Sequence, residues 1–400
     1  MSGRRAPSPV RRWPFRVSEV SGPWARAAIV ETDQVNSSLI VQVHSIDAHS
    51  MLKPRKTVAA LSPYRSPIAS RARLNLDLNE SMAGCSPRVL ARLRSLSAKE
   101  LSFYPKREDG EQLVANFAGV APEQVLLTNG MDEALSLLFT TYLDPGEELL
   151  FADPTFGMYS MLGEALGARV TRLQPPEDLK LPVGDLLANI SEGTRVIVIA
   201  NPNNPTGLAA PRADLLKIAN ARPDAAVLID EAYFDFCGET MISDLKNHPN
   251  LFVGRTFSKA YGLAGLRLGV LIGPPEQISY MRRIGVPFNV NSVALACLEE
   301  ALCDQSFVRE HIAQVKQGRE QLAELFDELS LRFWPSQTNF VLVRIGDVKR
   351  FAESMQRRGI QVRDSSASPG CAGCVRITVG TPKQMEELLQ AIREAIAELA

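Results

Sequence analysis

Five short apolar runs lie in the middle of the chain and determine its predicted architecture. They cover residues 125–128, 148–151, 195–200, 225–229 and 252–254. The run at 195–200 is nearly continuous and rich in β-branched residues, which is typical of a strand buried on both faces of a parallel sheet. Apolar residues recur at helical spacing between the runs, for example at 132–139. The pattern predicts an α/β fold with a large domain whose mostly parallel sheet is flanked by helices.

A second pattern occupies the last part of the chain. Segment 307–331 has helical spacing with one charged face, and 382–399 is a closing amphipathic helix. Segments 339–344 and 374–379 are typical of strands of a second sheet. We therefore predict a smaller α/β C-terminal domain, preceded by a connecting helix.

Domain boundaries follow from these two patterns. We expect an N-terminal arm and part of the small domain at 51–100, the large domain at 101–285, and the connecting helix with the small domain at 286–400.

Residues 1–50 are rich in arginine, contain two of the three tryptophans and show no sustained period. They lack the continuous apolar segment of a secretory signal, and their acidic residues argue against a transit peptide. We expect a disordered extension, or a segment upstream of a natural start at Met51.

Composition excludes several classes of protein. The chain of 400 residues is 45% apolar and 22% charged, which is ordinary for a globular protein with a sizeable core. A net charge of -1 provides no field that attracts nucleic acid or an anionic membrane, and no apolar run has the length of a membrane span. Six cysteines are too few for a disulfide scaffold and indicate a reducing compartment, which we take to be the cytoplasm. Cys371 and Cys374 form a lone CxxC, and we expect no metal site.

The strongest chemical candidate is Lys259 and its neighbours. Two hydroxyls, Thr256 and Ser258, lie just before this lysine, and the guanidinium of Arg267 follows eight residues later. A lysine whose pKa is lowered becomes a nucleophile and forms a Schiff base with an aldehyde. Hydroxyls and a guanidinium suit a phosphate group. An aldehyde and a phosphate occur together in pyridoxal phosphate (PLP). A glycine-rich loop with a solvated lysine, which binds no cofactor, would show the same sequence pattern.

Polar residues follow three other predicted strands. Gly130 joins a strand to a helix, an arrangement that leaves free backbone N–H groups for an anion. Asn204 follows the run at 195–200, and Asp230 follows the next run. Ligands of open α/β sheets collect at the carboxyl ends of strands, so these groups and Lys259 are expected to meet. Taken singly, Gly130 fits a plain turn and Asp230 fits a helix N-cap.

At this point the residues resemble the fold-type I PLP-dependent aminotransferases. The resemblance depends on Asn204-Pro-Thr-Gly207, Asp230-Glu-Ala-Tyr233, and Ser258-Lys259 with Arg267, and it covers about Met51 to Ala400. A larger set of sequence segments makes the resemblance more specific, to the histidinol-phosphate aminotransferases. These segments lie at 60–64, 104–105, 154–159, 203–207, 230–233, 264–267 and 375–381.

The resemblance implies roles by position. Lys259 would be the catalytic lysine, and Asp230 would keep the pyridine nitrogen protonated. The implied cofactor-binding residues are Gly130, Met131, Asp132, Phe156, Asn204, Asp230, Tyr233, Thr256, Ser258, Lys259 and Arg267, with Tyr104 supplied by the partner subunit. The implied substrate-binding residues are Tyr64, Asn204, Arg363 and Arg376. A homodimer with composite active sites is implied as well. Met131 occupies a place that is often small in the family, and Phe156 stands where tyrosine is common.

The activity implied by the resemblance is transamination of histidinol phosphate with 2-oxoglutarate or glutamate, in histidine biosynthesis. Two alternatives stay open. One is a related PLP enzyme, such as a threonine-phosphate decarboxylase or an aromatic-amino-acid aminotransferase. The other is a PLP-fold binding protein without turnover.

Overall fold

A computed structural model describes residues 52–63 and 72–399. The predicted extension at 1–50 and the proposed substrate residue Tyr64 lie outside the described residues. From Pro54 onward the chain forms one compact unit.

Strands and helices alternate through the first two thirds of this unit. In the described residues the strands are β1 (Leu74–Leu76), β2 (Val125–Asn129), β3 (Glu148–Ala152), β4 (Arg169–Leu173), β5 (Thr194–Ala200), β6 (Ala226–Asp230), β7 (Leu251–Thr256), β8 (Leu268–Ile272), β9 (Phe333–Trp334), β10 (Phe340–Arg344), β11 (Ile360–Asp364) and β12 (Cys374–Thr378). The α-helices are α1 (Lys56–Ala59), α2 (Pro87–Arg94), α3 (Ala98–Ser102), α4 (Arg107–Ala118), α5 (Met131–Tyr142), α6 (Met158–Leu166), α7 (Val183–Asn189), α8 (Arg212–Ala221), α9 (Phe234–Cys237), α10 (Pro275–Ile284), α11 (Ser292–Cys303), α12 (Gln305–Glu328), α13 (Val348–Arg357) and α14 (Pro382–Ala397).

The larger sheet has seven strands in the order β2-β8-β7-β6-β5-β3-β4. The pairs from β4 through β3, β5 and β6 to β7 are all parallel, whereas β8 is antiparallel to both of its neighbours. This sheet and its flanking helices confirm the predicted α/β fold. Because β5, β6 and β7 are adjacent and parallel, the residues that follow them meet at one edge.

The core lies on both faces of this sheet. Along β5, Val196 and Val198 belong to one buried cluster, whereas Ile197 and Ile199 belong to the other. Strict alternation between two dry faces explains why this strand is apolar at successive positions. None of the helices in the described part of the chain is long and apolar enough to cross a membrane.

The smaller sheet has the order β1-β11-β12-β10-β9. β1 pairs in parallel with β11, and the other pairs are antiparallel. Arg363 of β11 faces Arg376 of β12 in the register of this sheet. Because β1 comes early in the sequence and the other strands come late, this sheet ties the segment near Leu76 to the C-terminal part.

Candidate active site

A cleft of about 630 Å³ opens at the carboxyl ends of β5, β6 and β7. Asn204, Asp230 and Lys259 reach it from these three strands. The other predicted site residues that line it are Met131, Asp132, Phe156, Tyr233, Thr256, Ser258, Arg267, Arg363 and Arg376. The structure therefore brings together most of the side chains that the sequence pattern singles out.

Asp230 is a buried carboxylate at the end of β6, with 4% of its surface exposed. It accepts hydrogen bonds from the Tyr159 hydroxyl at 2.7 Å and from the backbone N–H of Ala232 at 3.1 Å. Within the described residues no cationic side chain pairs with it. Burial raises the pKa of Asp230 to about 6, although the Tyr159 hydroxyl opposes that rise. A buried carboxylate of this kind is costly unless a ligand supplies positive charge.

The amine of Lys259 lies in the same cleft and donates a hydrogen bond to the Leu78 carbonyl at 3.1 Å. Burial, followed by the positive charge of Arg376, lowers the pKa of Lys259 to about 8. A lysine with this pKa is partly unprotonated at neutral pH, which makes its amine a nucleophile and a proton acceptor.

A cradle for a phosphate lies at the N-terminus of α5. Gly130 precedes this helix with φ 78°, and a Cβ there would lie 2.6 Å from Nη2 of Arg267. Arg267 donates to the Asp132 carboxylate at 3.0 Å, and the Thr256 hydroxyl donates to Ser258 at 3.0 Å. Free helix N–H groups, two hydroxyls and a guanidinium therefore surround the same end of the cleft, and they form an anion site.

Two residues line the region between the phosphate cradle and the smaller sheet. The hydroxyl of Tyr233 accepts a hydrogen bond from Asn79 at 2.8 Å. The ring of Phe156 lines the cleft and meets Tyr159 edge to face, with ring centroids 5.7 Å apart. An aromatic side chain that lines a cleft can stack on a flat ring.

Two guanidinium groups line the cleft from the smaller sheet. Arg376 is buried, and it donates to the Asn204 side-chain oxygen and to the Asp77 carbonyl, the latter at 2.6 Å. Arg363 lies on the neighbouring strand, also facing the cleft. The cleft therefore has a second cationic region, apart from the phosphate cradle, that suits an anionic substrate.

The sequence profile of the aminotransferase class I and II family matches residues 72–392, which is most of the chain. The chain belongs to this family. Its predicted resemblance to PLP-dependent aminotransferases is thereby confirmed.

Named relatives of this aminotransferase chain are histidinol-phosphate aminotransferases. A histidinol-phosphate aminotransferase 2 of Pseudomonas fluorescens is 36% identical over 362 residues, covering 85% of this chain and 96% of the relative. A histidine biosynthesis bifunctional protein of Photorhabdus laumondii is 31% identical over 350 residues, which are 85% of this chain but 43% of that longer protein. The chain thus spans less than half of the bifunctional relative.

A solved structure extends the comparison to the fold. Histidinol-phosphate aminotransferase of Sinorhizobium meliloti, in complex with pyridoxal-5'-phosphate, has a TM-score of 0.80 and 26% sequence identity. The match covers 88% of this chain and all of that one. The backbone of this family member is therefore that of a fold-type I aminotransferase.

Tyr104 does not line the cleft of its own chain. It lies on the surface with 79% of its area exposed, and its ring stacks on Phe288 at 4.3 Å between centroids. The resemblance implies that this tyrosine serves the partner subunit, so its position outside the cleft fits that interpretation without testing it.

Met131 has a partner that the sequence analysis missed. The side chain of Met131 lies over Gly254 of β7, where an added Cβ would be 2.1 Å from the methionine Cε. Met131 is buried, and the absence of a side chain at Gly254 makes room for it. The unusual size of residue 131 is therefore accommodated by a glycine on a neighbouring strand, and the backbone turn at Gly130 keeps its shape.

Several cleft residues have no counterpart among the predicted ones. They are Leu78, Asn79, Glu80, Thr155, Tyr159, Asp364, Ser365 and Ser368. Tyr159 follows Phe156 at helical spacing, so the pair could have been found from the sequence. Asn79 and Glu80 are distant in sequence and reach the cleft only because β1 joins the smaller sheet.

Proposed function

We propose that this chain is a PLP-dependent transaminase that moves the amino group of histidinol phosphate to 2-oxoglutarate, in histidine biosynthesis. The observation that carries the proposal is the shared cleft of Asp230 and Lys259, in a chain whose named relatives are histidinol-phosphate aminotransferases. The proposed site residues are the predicted ones that line this cleft, together with Gly130, Tyr64 and the partner's Tyr104.

Two features fit the cofactor. Asp230 is a buried carboxylate without a cationic partner in the described residues, and a protonated pyridine nitrogen would supply one. The cradle at Gly130 and Arg267 would hold the phosphate. Bound PLP supplies an aldehyde that condenses with amines and a ring that accepts the electrons released at the donor carbon.

The protein's own groups then have distinct tasks. Lys259 would first hold the cofactor through its amine and then, once free, take up and return the proton of the donor's α-carbon, since its pKa of about 8 suits a general base near neutral pH. Tyr159 would keep Asp230 oriented and ionised by donating to it. Tyr233 and Asn204 would orient the ring through its phenolic oxygen.

Substrate binding would use the second cationic region. Arg363 and Arg376 would bind the carboxylates of 2-oxoglutarate and the phosphate of the amino donor in alternate half-reactions. Because Arg376 already donates to Asn204 and Asp77, its guanidinium is held at a fixed angle before an anion arrives.

The proposal includes a homodimer in the cytoplasm. Large apolar side chains are exposed at 101–104 and 280–288, and the stacking of Tyr104 on Phe288 joins the two segments into one surface. Contiguous exposed apolar surface of this kind is typical of an interface. Free cysteines throughout the described residues agree with a reducing compartment.

Steady-state kinetics test the substrate directly. We expect the ratio kcat/KM with 2-oxoglutarate to be highest for histidinol phosphate, and lower by on the order of 10²-fold or more for phenylalanine. Release of carbon dioxide from threonine phosphate would instead identify a decarboxylase and overturn the proposal.

The Lys259→Ala variant tests the site, with the exposed Lys217→Ala as the matched control. We expect Lys259→Ala to lose the visible absorbance of the bound cofactor and the activity, whereas Lys217→Ala keeps both. Unchanged absorbance and activity in Lys259→Ala would show that the cofactor site is elsewhere.

A further inference from the structure

Cys371 and Cys374 lie at the two ends of one tight turn between β11 and β12. The backbone N–H of Cys374 donates to the carbonyl of Cys371 at 2.9 Å. A turn closed in this way brings its end Cα atoms within about 7 Å of each other, and disulfides join Cα atoms about 4.4–6.8 Å apart. The two thiols are therefore close enough to be joined with a small movement of the turn.

The turn is connected to the cleft at both ends. Ser365 and Ser368 line the cleft on one side of the turn, and Arg376 lines it on the other. The N–H of Ser365 donates to the Cys374 carbonyl at 3.0 Å, and the N–H of Cys371 donates to the Ser368 carbonyl at 3.0 Å. Backbone hydrogen bonds therefore connect the two cysteines to residues that line the cleft.

The two sulfurs are buried close to a cation. Both cysteines are buried in a small apolar cluster with Trp334 and Leu342, beside the guanidinium of Arg344. A hydrogen bond from the Cys371 thiol, followed by the Arg344 guanidinium, lowers the pKa of Cys374, and burial opposes that change. Donating that hydrogen bond raises the pKa of Cys371. No group of three or more metal-ligating side chains occurs in the described part of the chain, so the pair has no further ligand for a metal.

We propose that Cys371 and Cys374 form a reversible disulfide when the enzyme meets hydrogen peroxide, and that the disulfide weakens binding of the anionic substrates. The Cys374 thiolate attacks one peroxide oxygen; the O–O bond breaks, hydroxide leaves, and a sulfenic acid remains. The Cys371 sulfur then attacks the Cys374 sulfur and displaces the oxygen, while the thiol proton and a solvent proton convert both oxygens to water. Relative to the dithiol, the protein loses two protons and two electrons, and a small dithiol reverses the reaction by exchange.

The disulfide acts through geometry. Its sulfurs are about 2.05 Å apart, well inside the contact distance of two thiols, so the turn tightens. The tightening moves Ser365 and the start of β12 relative to the cleft. We expect KM for the amino donor to rise several-fold while kcat changes less, because Asp230 lies in the larger sheet and Lys259 follows its strand β7.

Mass spectrometry tests the bond independently of any substrate. Trypsin cleaves after Arg363 and Arg376, so one peptide, 364–376, contains both cysteines and no others. The folded holoenzyme is treated with hydrogen peroxide, its remaining thiols are alkylated, and it is digested without reductant. We expect this peptide to be unalkylated and two hydrogen atoms lighter, and dithiothreitol to restore both thiols. Recovery of the doubly alkylated peptide, under conditions that oxidise the exposed Cys303, would overturn the proposal.

Kinetics of two variants test the coupling to the cleft. Wild type and Cys303→Ser are expected to show the same rise in KM after peroxide, with recovery in dithiothreitol. Cys371→Ala is expected to lose that reversible response and keep the wild-type KM before treatment. A reversible rise in KM that persists in Cys371→Ala would contradict the assignment. If the disulfide forms in wild type and KM does not change, the proposed effect of the disulfide on substrate binding is wrong. The mass of peptide 364–376 shows whether the disulfide forms even if Cys371→Ala does not fold.

Discussion

At the residue scale, the hydroxyl of Tyr159 controls the ionisation of Asp230. Tyr159 is fully buried and donates to this carboxylate at 2.7 Å, which favours the charged form. In Tyr159→Phe the donor is lost and the pKa of Asp230 rises further above its ordinary range. We expect the acidic limb of the pH profile of kcat/KM to move to higher pH by about one unit, which corresponds to one hydrogen bond of about 1.4 kcal/mol. Tyr142→Phe, at a hydroxyl that donates to Gln277 outside the cleft, is the matched control. If the acidic limb of Tyr159→Phe lies at the same pH as in wild type, ionisation of Asp230 does not control the activity.

A second residue-scale prediction concerns Met131 and Gly254. An added Cβ in Gly254→Ala would meet Met131 at 2.1 Å, so this variant overfills the space and should lose about 1–3 kcal/mol of unfolding free energy. Met131→Ala relieves the clash, and the double variant should lose less stability than the two single losses combined. Gly184→Ala, with open space around its Cβ, is the control and should be nearly neutral. Strict additivity in denaturant titrations would mean that the two residues do not interact.

At the element scale, the sequence predicts most of the strands that are buried on both faces, and in the larger sheet it misses β4 and β8. β4 is an edge strand with partly exposed residues, so it lacks a continuous apolar run. β8 is apolar and fully buried, but it directly follows Arg267 and a glycine-containing segment whose pattern is typical of a loop. Its antiparallel pairing with β2 joins segments far apart in sequence, which a local pattern does not contain.

The long helix α12 carries an element-scale prediction. His311 on this helix is 5% exposed, and burial lowers its pKa to about 4 from 6.5. Between these two pH values the unfolded chain binds a proton that the folded chain does not bind. Stability therefore rises with pH across this window, by up to about 1.4 kcal/mol per pH unit from this residue. In His311→Gln the slope of unfolding free energy against pH should be flatter from pH 4 to 6.5. His248→Gln is the control, and an unchanged slope in His311→Gln would refute the assignment.

At the scale of the whole molecule, the sequence pattern predicts the part of the candidate site that follows strands of the larger sheet. It does not predict the residues that reach the cleft through β1. Asn204, Asp230 and Lys259 each follow an apolar run, and adjacent parallel strands bring them together. Asn79 and Glu80 reach the cleft through β1, whose pairing with β11 spans most of the chain. The domain boundaries near residues 100 and 285 stay predictions. The proposed role of Tyr104 in the cleft of the partner subunit also stays a prediction, because it depends on an assembly rather than on one chain.

Mixing of two inactive variants tests whether Tyr104 acts in the cleft of the partner subunit. Tyr104→Ala removes the residue proposed to serve the partner's cleft, and Lys259→Ala removes a residue of its own cleft. A hybrid dimer of the two variants contains one complete site, built on the chain that keeps Lys259 and completed by Tyr104 of the other chain. Random exchange of subunits makes half of the dimers hybrid, so activity should return to about a quarter of the wild-type value.

The control is a mixture of Lys259→Ala with Asp230→Asn. Lys259 and Asp230 line the cleft of one chain, so no hybrid of these two variants contains a complete site, and activity should stay absent. Subunit exchange is monitored in both mixtures by native mass spectrometry of a tagged chain. If hybrids form and Tyr104→Ala with Lys259→Ala stays inactive, Tyr104 does not act across the interface. Return of activity only in that mixture would establish that each cleft is completed by its neighbour, because no rearrangement within one chain restores the missing side chain.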